Sequence, residues 1–161
     1  MEIRAVQPEE INTIVDMWVD FVDDQYQYDD FFIRNPEGKI NLKNKLHHYV
    51  KDDDYLLIGA IKDNKIAGYV LAQVSEHPPF FETSKFCNIR HVFLKPEYRN
   101  KKYGTKLMQY TIEWAKEKGV ERAELLVAAK NEDAIRFYRN LGFNDFCLVM
   151  TKNLEGNSSI R

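Results

Sequence analysis

Residues 92–105 read VFLKPEYRNKKYGT, and this stretch decides the fold. Apolar residues typical of a buried strand lead to Pro96, a basic turn follows, and a helix is expected to begin near Gly104. The first backbone N–H groups of a helix are unpaired and its dipole is positive there, so such a junction favours an anion. Mobile positive charge in the turn comes from Arg99, Lys101 and Lys102. The stretch therefore predicts a pyrophosphate cradle, although a solvated basic turn without a ligand uses the same residue types equally often.

Two common phosphate-binding motifs do not fit this turn. A P-loop requires G-x-x-x-x-G-K-[ST], and Gly104 lacks the upstream glycine. A dinucleotide fingerprint requires three spaced glycines between a strand and a helix, and only Gly104 is present. The predicted anion site is therefore of another kind.

Hydrophobic periodicity on both sides of the turn predicts the remaining elements. An opening strand precedes two helices, and three strands, a helix, a strand, a helix and a final strand follow. The predicted strands are 3–6, 55–62, 66–74, 86–94, 123–128 and 146–152. The helices begin near Pro8, Leu42, Gly104 and Asn131. A run of antiparallel strands followed by crossovers predicts a mixed sheet with helices on both faces.

Composition limits the classes of function. The 161 residues suffice for one domain, expected at 1–154, with a flexible polar tail at 155–161. A net charge of −2 argues against binding of nucleic acid or a membrane surface, which usually requires a basic excess. No apolar run approaches the roughly 18 residues of a membrane span, and the N-terminus lacks the apolar core of a secretory signal.

The two cysteines, Cys87 and Cys147, stand alone among apolar or aromatic residues, without the spacing of metal ligands. Buried, reduced thiols are the expectation for both. This expectation predicts a cytoplasmic protein that holds no metal.

Short motifs occur in a fixed order between Phe86 and Phe143. Leu94, Pro96 and Tyr98 end a strand, Arg99 and Gly104 open a helix, and Asn131 precedes a second helix that ends in Tyr138-Arg139-Asn140-Leu141-Gly142-Phe143. In this order and spacing the segment resembles the core of the GNAT superfamily of acetyl-CoA-dependent N-acetyltransferases. The resemblance implies an α/β (α+β) fold with a mixed, mostly antiparallel central sheet and helices on both faces.

The resemblance also implies roles for particular residues, with acetyl-CoA as cosubstrate. Tyr138 would be the general acid that protonates the departing thiolate, although its periodicity alone fits a core aromatic residue. The side chain of Asn131 would meet the coenzyme. Backbone groups at a β-bulge would bind the pantetheine arm and the acetyl carbonyl, at Val92, Phe93 and Leu94. The pyrophosphate would be held by Arg99, Asn100, Lys101, Lys102, Tyr103, Gly104 and Thr105.

The turn departs from the family pattern at two positions. Lys102 stands where the family has a glycine, and Asn100 stands where a glycine often follows the arginine. Glycine lets backbone approach a phosphate without a Cβ in the way. Lys102 can compensate with charge, so we expect the site to be retained with altered cofactor affinity.

No general base follows from the sequence. Counting back from Val92, strand alternation places Arg90 and Asn88 on the same face, and neither is a base at neutral pH. His91 alternates to the other face, where we expect a structural role. A second position used for a base in the family is occupied by Leu126. Water relays to Glu76 or Glu82 are an open alternative.

Two features give opposite predictions for the acceptor. Aspartates interleaved with aromatic residues at 23–32 would suit a cationic amine, although a solvated helix end explains them equally well. Their acids are Asp23, Asp24, Asp29 and Asp30. Arg90 instead suits a substrate that carries a carboxylate.

The function predicted from these residues is acetyl transfer from acetyl-CoA to a primary amine of a small molecule, peptide or protein. A non-catalytic CoA-binding regulatory module on the same fold is the alternative, since no base is assigned and the phosphate turn is altered. The final strand, apolar on both faces, predicts cover by helices or by a second subunit, and hence a possible homodimer.

Overall fold

The computed structural model describes residues 1–80, 82, 85–152 and 154. Its strands are β1 (Glu2–Ala5), β2 (Tyr55–Lys62), β3 (Lys65–Glu76), β4 (Lys85–Leu94) and β5 (Ala123–Leu125). Its α-helices are α1 (Ile11–Tyr26), α2 (Gly38–Tyr49), α3 (Tyr103–Glu117) and α4 (Glu132–Asn140). Short 3-10 turns lie at Pro8–Glu10, Asp30–Phe32 and Pro96–Tyr98. The predicted tail at 155–161 lies outside the described residues.

The sheet has the order β1-β2-β3-β4-β5, antiparallel throughout except for the parallel pair β4–β5. The β2–β3 hairpin turns at Asp63 and Asn64, whose φ angles of 49° and 57° are those of a tight two-residue turn. One strand connection, β4 to β5, crosses over through α3. The predicted mixed, mostly antiparallel sheet is confirmed.

Two buried clusters cover opposite faces of this sheet. Side chains of α1 and α2, such as Ile14 and Leu46, pack with Tyr69 and Phe93 on one face. Side chains of α3 pack with Val70 and Ile89 on the other, and α4 packs against the same cluster. The predicted helices on both faces are confirmed, and each strand of the centre is buried on both sides.

The start of α3 lies unusually close to β4 and α4. A Cβ on Gly104 would be 3.2 Å from the ring of Phe137 and 3.3 Å from Cδ1 of Leu94. Contacts this short require a displacement of the neighbouring side chains. Glycine at this position therefore serves the packing of three elements around the basic turn.

The end of the chain differs from the prediction. The strand expected at 123–128 stops at Leu125, and residues 146–152 form no strand. Phe146, Leu148, Val149 and Met150 are 66–85% exposed. An apolar run forms a strand only beside a partner strand, and nothing in the described ranges pairs with this run. Cys147 is consequently exposed, which makes the expected burial wrong, whereas Cys87 is buried as predicted.

None of the helices in the described part of the chain combines the length and apolarity that crossing a membrane requires.

Candidate active site between β4 and β5

Strands β4 and β5 separate after a short paired region. Their register ends at Ile89 opposite Leu125, and β4 continues to Leu94. Within the described chain, the backbone groups of β4 that point away from β3 beyond Ile89 therefore have no partner strand. An unpaired strand edge can hydrogen-bond an extended ligand as a further strand would.

A β-bulge lies where the two strands separate. The β3–β4 register passes from Leu71 opposite His91 to Ala72 opposite Ile89, so Arg90 is the extra residue. The bulge thus precedes Val92, Phe93 and Leu94 instead of including them. These three residues form the open edge that follows it.

A cavity of about 80 Å³ opens at this separation. Its walls come from four places in the chain, namely α1, β4, the segment after β5, and α4. The polar side chains among its walls are Gln25, Arg90, Asn131 and Tyr138. Residues far apart in sequence therefore meet at one point beside the open edge of β4.

Tyr138 lines this cavity from α4. Its ring packs against Phe137 and Phe143, with centroids 5.2 and 6.0 Å away. Burial raises the pKa of the phenol to about 12, so the hydroxyl stays protonated at neutral pH. No residue in the described ranges hydrogen-bonds this hydroxyl, whereas a core tyrosine normally has a partner. The group is consequently available as a donor to a ligand.

Asn131 serves α4 as well as the cavity. Its Oδ1 accepts a hydrogen bond of 3.1 Å from the backbone N–H of Ala134 and caps the helix. The side-chain amide N–H groups remain for a ligand, because the cap uses only the oxygen. Asn131 and Tyr138 are seven positions apart, and both line the same cavity.

The basic turn lies at the far end of β4 from the bulge. Helix α3 begins at Tyr103, so the N–H groups of Tyr103, Gly104 and Thr105 are not used within the helix. Lys101 and Lys102 are exposed beside them. The open edge of β4 therefore leads from a cavity with a proton donor to a site suited to phosphates, as a long coenzyme arm would require.

Comparison with known proteins shows to which family the chain belongs. The profile of the Acetyltransferase (GNAT) family matches residues 15–143. The chain belongs to the GNAT family. It is an N-acetyltransferase, as the sequence predicted, and GNAT enzymes use acetyl-CoA.

Individual relatives agree with this membership. A spermidine N(1)-acetyltransferase of Thermoplasma acidophilum is 25% identical over 149 residues, covering 89% of this chain and 88% of its own. An uncharacterized N-acetyltransferase of Archaeoglobus fulgidus is 30% identical over 138 residues, covering 86% of this chain and 89% of its own. An uncharacterized N-acetyltransferase of Methanocaldococcus jannaschii is 38% identical, but the match spans only 28% of that protein.

A solved structure of a predicted acetyltransferase with acetyl-CoA, from Clostridium acetobutylicum, has the same fold. Its TM-score is 0.77 at 17% identity, over 95% of this chain and 96% of that chain. Identity this low shows the fold alone.

The two residues of the basic turn that stand where the family has, or often has, glycine adopt the conformation that favours glycine. Asn100 has φ 59° and Lys102 has φ 63°. A left-handed conformation costs a non-glycine residue roughly 1–2 kcal/mol, less for asparagine. The backbone of Lys102 forms the cap of α3 in this conformation.

Arg99 does not provide the mobile charge that the sequence suggested. Its Nη2 lies 2.5 Å from Oδ2 of Asp24 on α1, and its Nε donates to the carbonyl of Leu94 at 3.0 Å. The guanidinium also lies over the ring of Phe93. Arg99 therefore ties the basic turn to α1, and the mobile positive charge of this turn comes from Lys101 and Lys102.

The bulge also corrects the predicted faces of β4. Side chains alternate between the two faces of a strand, and the extra residue shifts this alternation by one position. Cys87 and Ile89 therefore lie in the same buried cluster as Val92, and Asn88 lies on the opposite face of β4. Arg90 points toward α1 and α2, because its Nη1 donates to Oε1 of Gln73 at 2.8 Å. The sequence could not reveal this, since the bulge depends on pairing with β3.

His91 has the structural role that was expected. Its Nδ1 lies 3.3 Å from the hydroxyl of Tyr69, and its ring packs 5.4 Å from that of Phe21. Burial, with a smaller contribution from Arg90, lowers the pKa of the imidazole to about 4. A base this weak does not deprotonate an ammonium group.

The acidic segment near α1 is largely neutralised within the chain. Asp23 pairs with Arg34 at 2.7 Å, Asp24 pairs with Arg99, and Asp29 accepts from the N–H of Phe31. The side chain of Asp30 lies outside the described part. The acidic rim expected for a cationic amine is thus mostly engaged elsewhere.

The relay candidates also lie apart from the cavity walls. Glu76 is 3.8 Å from Lys85, and Glu82 is exposed. The sequence did not reveal that Phe21, Gln25 and Gln73 contribute to the site. Hydrophobic periodicity indicates which side chains are buried, and it does not indicate which of them lie close to β4. Among the described residues, no three His, Cys, Asp or Glu side chains gather as metal ligands.

Proposed function

We propose that this chain transfers the acetyl group of acetyl-CoA to the primary amine of a small molecule, peptide or protein. The observation that carries the proposal is the open edge of β4, which joins the cavity at Arg90 and Tyr138 to the phosphate turn at 99–105. Acetyl-CoA supplies an activated thioester when bound. The family of the chain and the named activity of its Thermoplasma acidophilum relative support amine acetylation.

The residues of the chain fit an extended coenzyme. Backbone groups of Val92, Phe93 and Leu94 would pair with the amides of the pantetheine arm, and the start of α3 with Lys101 and Lys102 would bind the phosphates. Asn100 and Gly104 give the turn its shape, and Arg99 anchors it to α1. Asn131 would contribute its amide N–H groups.

Tyr138 would act where the thiolate departs. Its phenol has a pKa of about 12, well above the roughly 8.5 of a cysteine thiol, so full proton transfer to a thiolate sulfur is uphill. Donation of a hydrogen bond to the developing thiolate, with the proton supplied finally by the amine, removes this difficulty. The role of Tyr138 is thus that of a positioned donor, a narrower form of the predicted general acid.

A screen of amines tests the proposal. Purified protein with acetyl-CoA is given spermidine, amino acids, monoamines and a lysine peptide, and free CoA thiol and the acetylated product are both measured. We expect at least one amine to be acetylated faster than in the absence of protein. Binding of acetyl-CoA without turnover of any amine would refute catalysis and favour a CoA-binding regulatory module.

Three further expectations stay proposals. One domain would comprise residues 1–154, and the buried thiol of Cys87 is consistent with a cytoplasmic protein. A homodimer would cover the exposed apolar run at 146–150.

A further inference from the structure

Arg90 differs from the other described arginines because its side-chain partner is an amide, Gln73, and not a carboxylate. Within the described ranges, each of the other arginines lies within 4 Å of a carboxylate, and Arg90 does not. The pairs are Arg4–Glu10, Arg34–Asp23, Arg99–Asp24, Arg122–Glu124, Arg136–Asp133 and Arg139–Asp145. Arg90 is exposed and makes no ion pair within the described ranges, so its charge is open to a group from outside the protein.

The position of Arg90 is fixed by the fold. It is the extra residue of the β4 bulge, and it lines the cavity that also contains Tyr138. Nη1 of Arg90 donates a hydrogen bond to Oε1 of Gln73, and Nε2 of Gln73 donates to Oγ of Ser75 at 2.8 Å. This chain of hydrogen bonds holds the guanidinium in place while it uses only one of five N–H donors.

Arg90 lies on the face of the sheet that α1 and α2 cover, and it is distant from the basic turn at the start of α3. Gln73 alternates with Leu71 and Tyr69, whose side chains pack under α1 and α2. The phosphate turn begins after Leu94, about 13 Å farther along β4 at roughly 3.3 Å per residue. A phosphate bound at the start of α3 is thus out of contact with Arg90.

We propose that the acceptor is an amine that also carries a carboxylate, and that Arg90 binds this carboxylate beside the acetyl group. The proposal rests on the proposed function and names its substrate class. A guanidinium matches the planar geometry of a carboxylate and can donate two parallel hydrogen bonds to it. Asp23 and Asp24 are each paired with an arginine, which weakens the competing attraction for a purely cationic amine.

The test compares amines that differ only in the carboxylate. The pairs are L-ornithine with putrescine, L-lysine with cadaverine, and L-phenylalanine with 2-phenylethylamine, and spermidine is a further amine without a carboxylate. We expect the preferred substrate to be an amino acid, with kcat/KM at least about tenfold above that of its decarboxylated partner, as expected for hydrogen bonds to charged groups.

Substitution shows whether Arg90 causes the preference. Arg90→Gln should lower kcat/KM for the amino acid by about 10- to 100-fold and leave that for the decarboxylated amine within threefold, while Arg90→Lys should restore part of the loss. Arg136→Gln is the control, because it removes the same charge from an exposed arginine that is paired with Asp133 and does not line the cavity, and it should not alter the preference. Acetyl-CoA affinity should be unchanged in all three variants.

Two results would overturn the proposal in distinguishable ways. Preference for putrescine, cadaverine or spermidine, or an equal loss on both members of a pair in Arg90→Gln, would refute the carboxylate site and leave N-acetyltransfer standing. Absence of turnover with every amine would refute the proposed function, and the carboxylate site with it.

Discussion

Replacing Tyr138 with phenylalanine removes one oxygen atom from the wall of the cavity. The contacts of the ring with Phe137 and Phe143 stay, since they involve no hydroxyl. The hydroxyl has no hydrogen-bond partner within the described residues, so its removal breaks no bond of the protein. We therefore expect the free energy of unfolding to change by less than about 1 kcal/mol.

The effect on catalysis follows from the charge that the hydroxyl would stabilise. The pKa of Tyr138 is about 12, above the roughly 8.5 of a cysteine thiol, so complete transfer to a thiolate would cost several kcal/mol, at about 1.4 kcal/mol for each pKa unit. A donor that keeps its proton avoids this cost, and removal of one such donor typically lowers kcat by about 10²–10³-fold. The expected loss in Tyr138→Phe is therefore about 10²-fold or more, with unchanged affinity for acetyl-CoA.

Steady-state release of CoA thiol measures kcat, calorimetry measures acetyl-CoA binding, and thermal unfolding measures stability. Tyr110→Phe is a suitable control, because Tyr110 is an exposed tyrosine of α3 that does not line the cavity with Tyr138. A kcat for Tyr138→Phe within threefold of wild type would show that water or another residue meets the thiolate. A large loss of stability would instead identify Tyr138 as a core aromatic residue.

Two further predictions concern the basic turn and the histidine of β4. Lys102→Gly should keep or raise the free energy of unfolding, by up to about 1 kcal/mol, and bind acetyl-CoA at least as tightly, because φ 63° favours glycine. The control Lys101→Gly changes a position without positive φ and should be destabilising by about 0.4–1 kcal/mol. Calorimetric affinity and melting temperature check both, and weaker binding by Lys102→Gly would show that its charge outweighs its conformation. Between pH 6.5 and 4 the unfolded chain protonates His91 and the folded chain does not, so stability should fall as the pH falls, by about 2 kcal/mol from pH 7 to 5. Denaturant unfolding of wild type and His91→Gln at both pH values measures this loss, and equal slopes for the two proteins would contradict the lowered pKa.

Local chemistry made much of the fold predictable. The β2–β3 turn forms at Asp63 and Asn64, residue types that tolerate positive φ, and the chain on both sides is rich in strand-forming residues. Helix α4 follows Asn131, whose side chain caps it, and Gly119 ends the turn after α3 at φ 71°. Each of these features depends on residues a few positions apart, which a single sequence displays.

Features that depend on distant partners were not predictable. The bulge at Arg90 arises from the register with β3, and it reverses the faces assigned by counting from Val92. The pair Arg99–Asp24 joins residues 75 positions apart, so the turn alone suggested a free cation. The apolar run at 146–150 predicted a buried strand, but pairing requires an edge that the described chain does not bring to it.

The central claim is that the separation of β4 and β5 is a site of acetyl transfer to an amine. Incubation of the protein with acetyl-CoA labelled in its acetyl group, together with the best amine of the screen, tests this claim most directly. We expect one labelled amide for each CoA thiol released, and a much slower rate for both in Tyr138→Phe. Thiol release without a labelled amide would mean hydrolysis and would contradict the account.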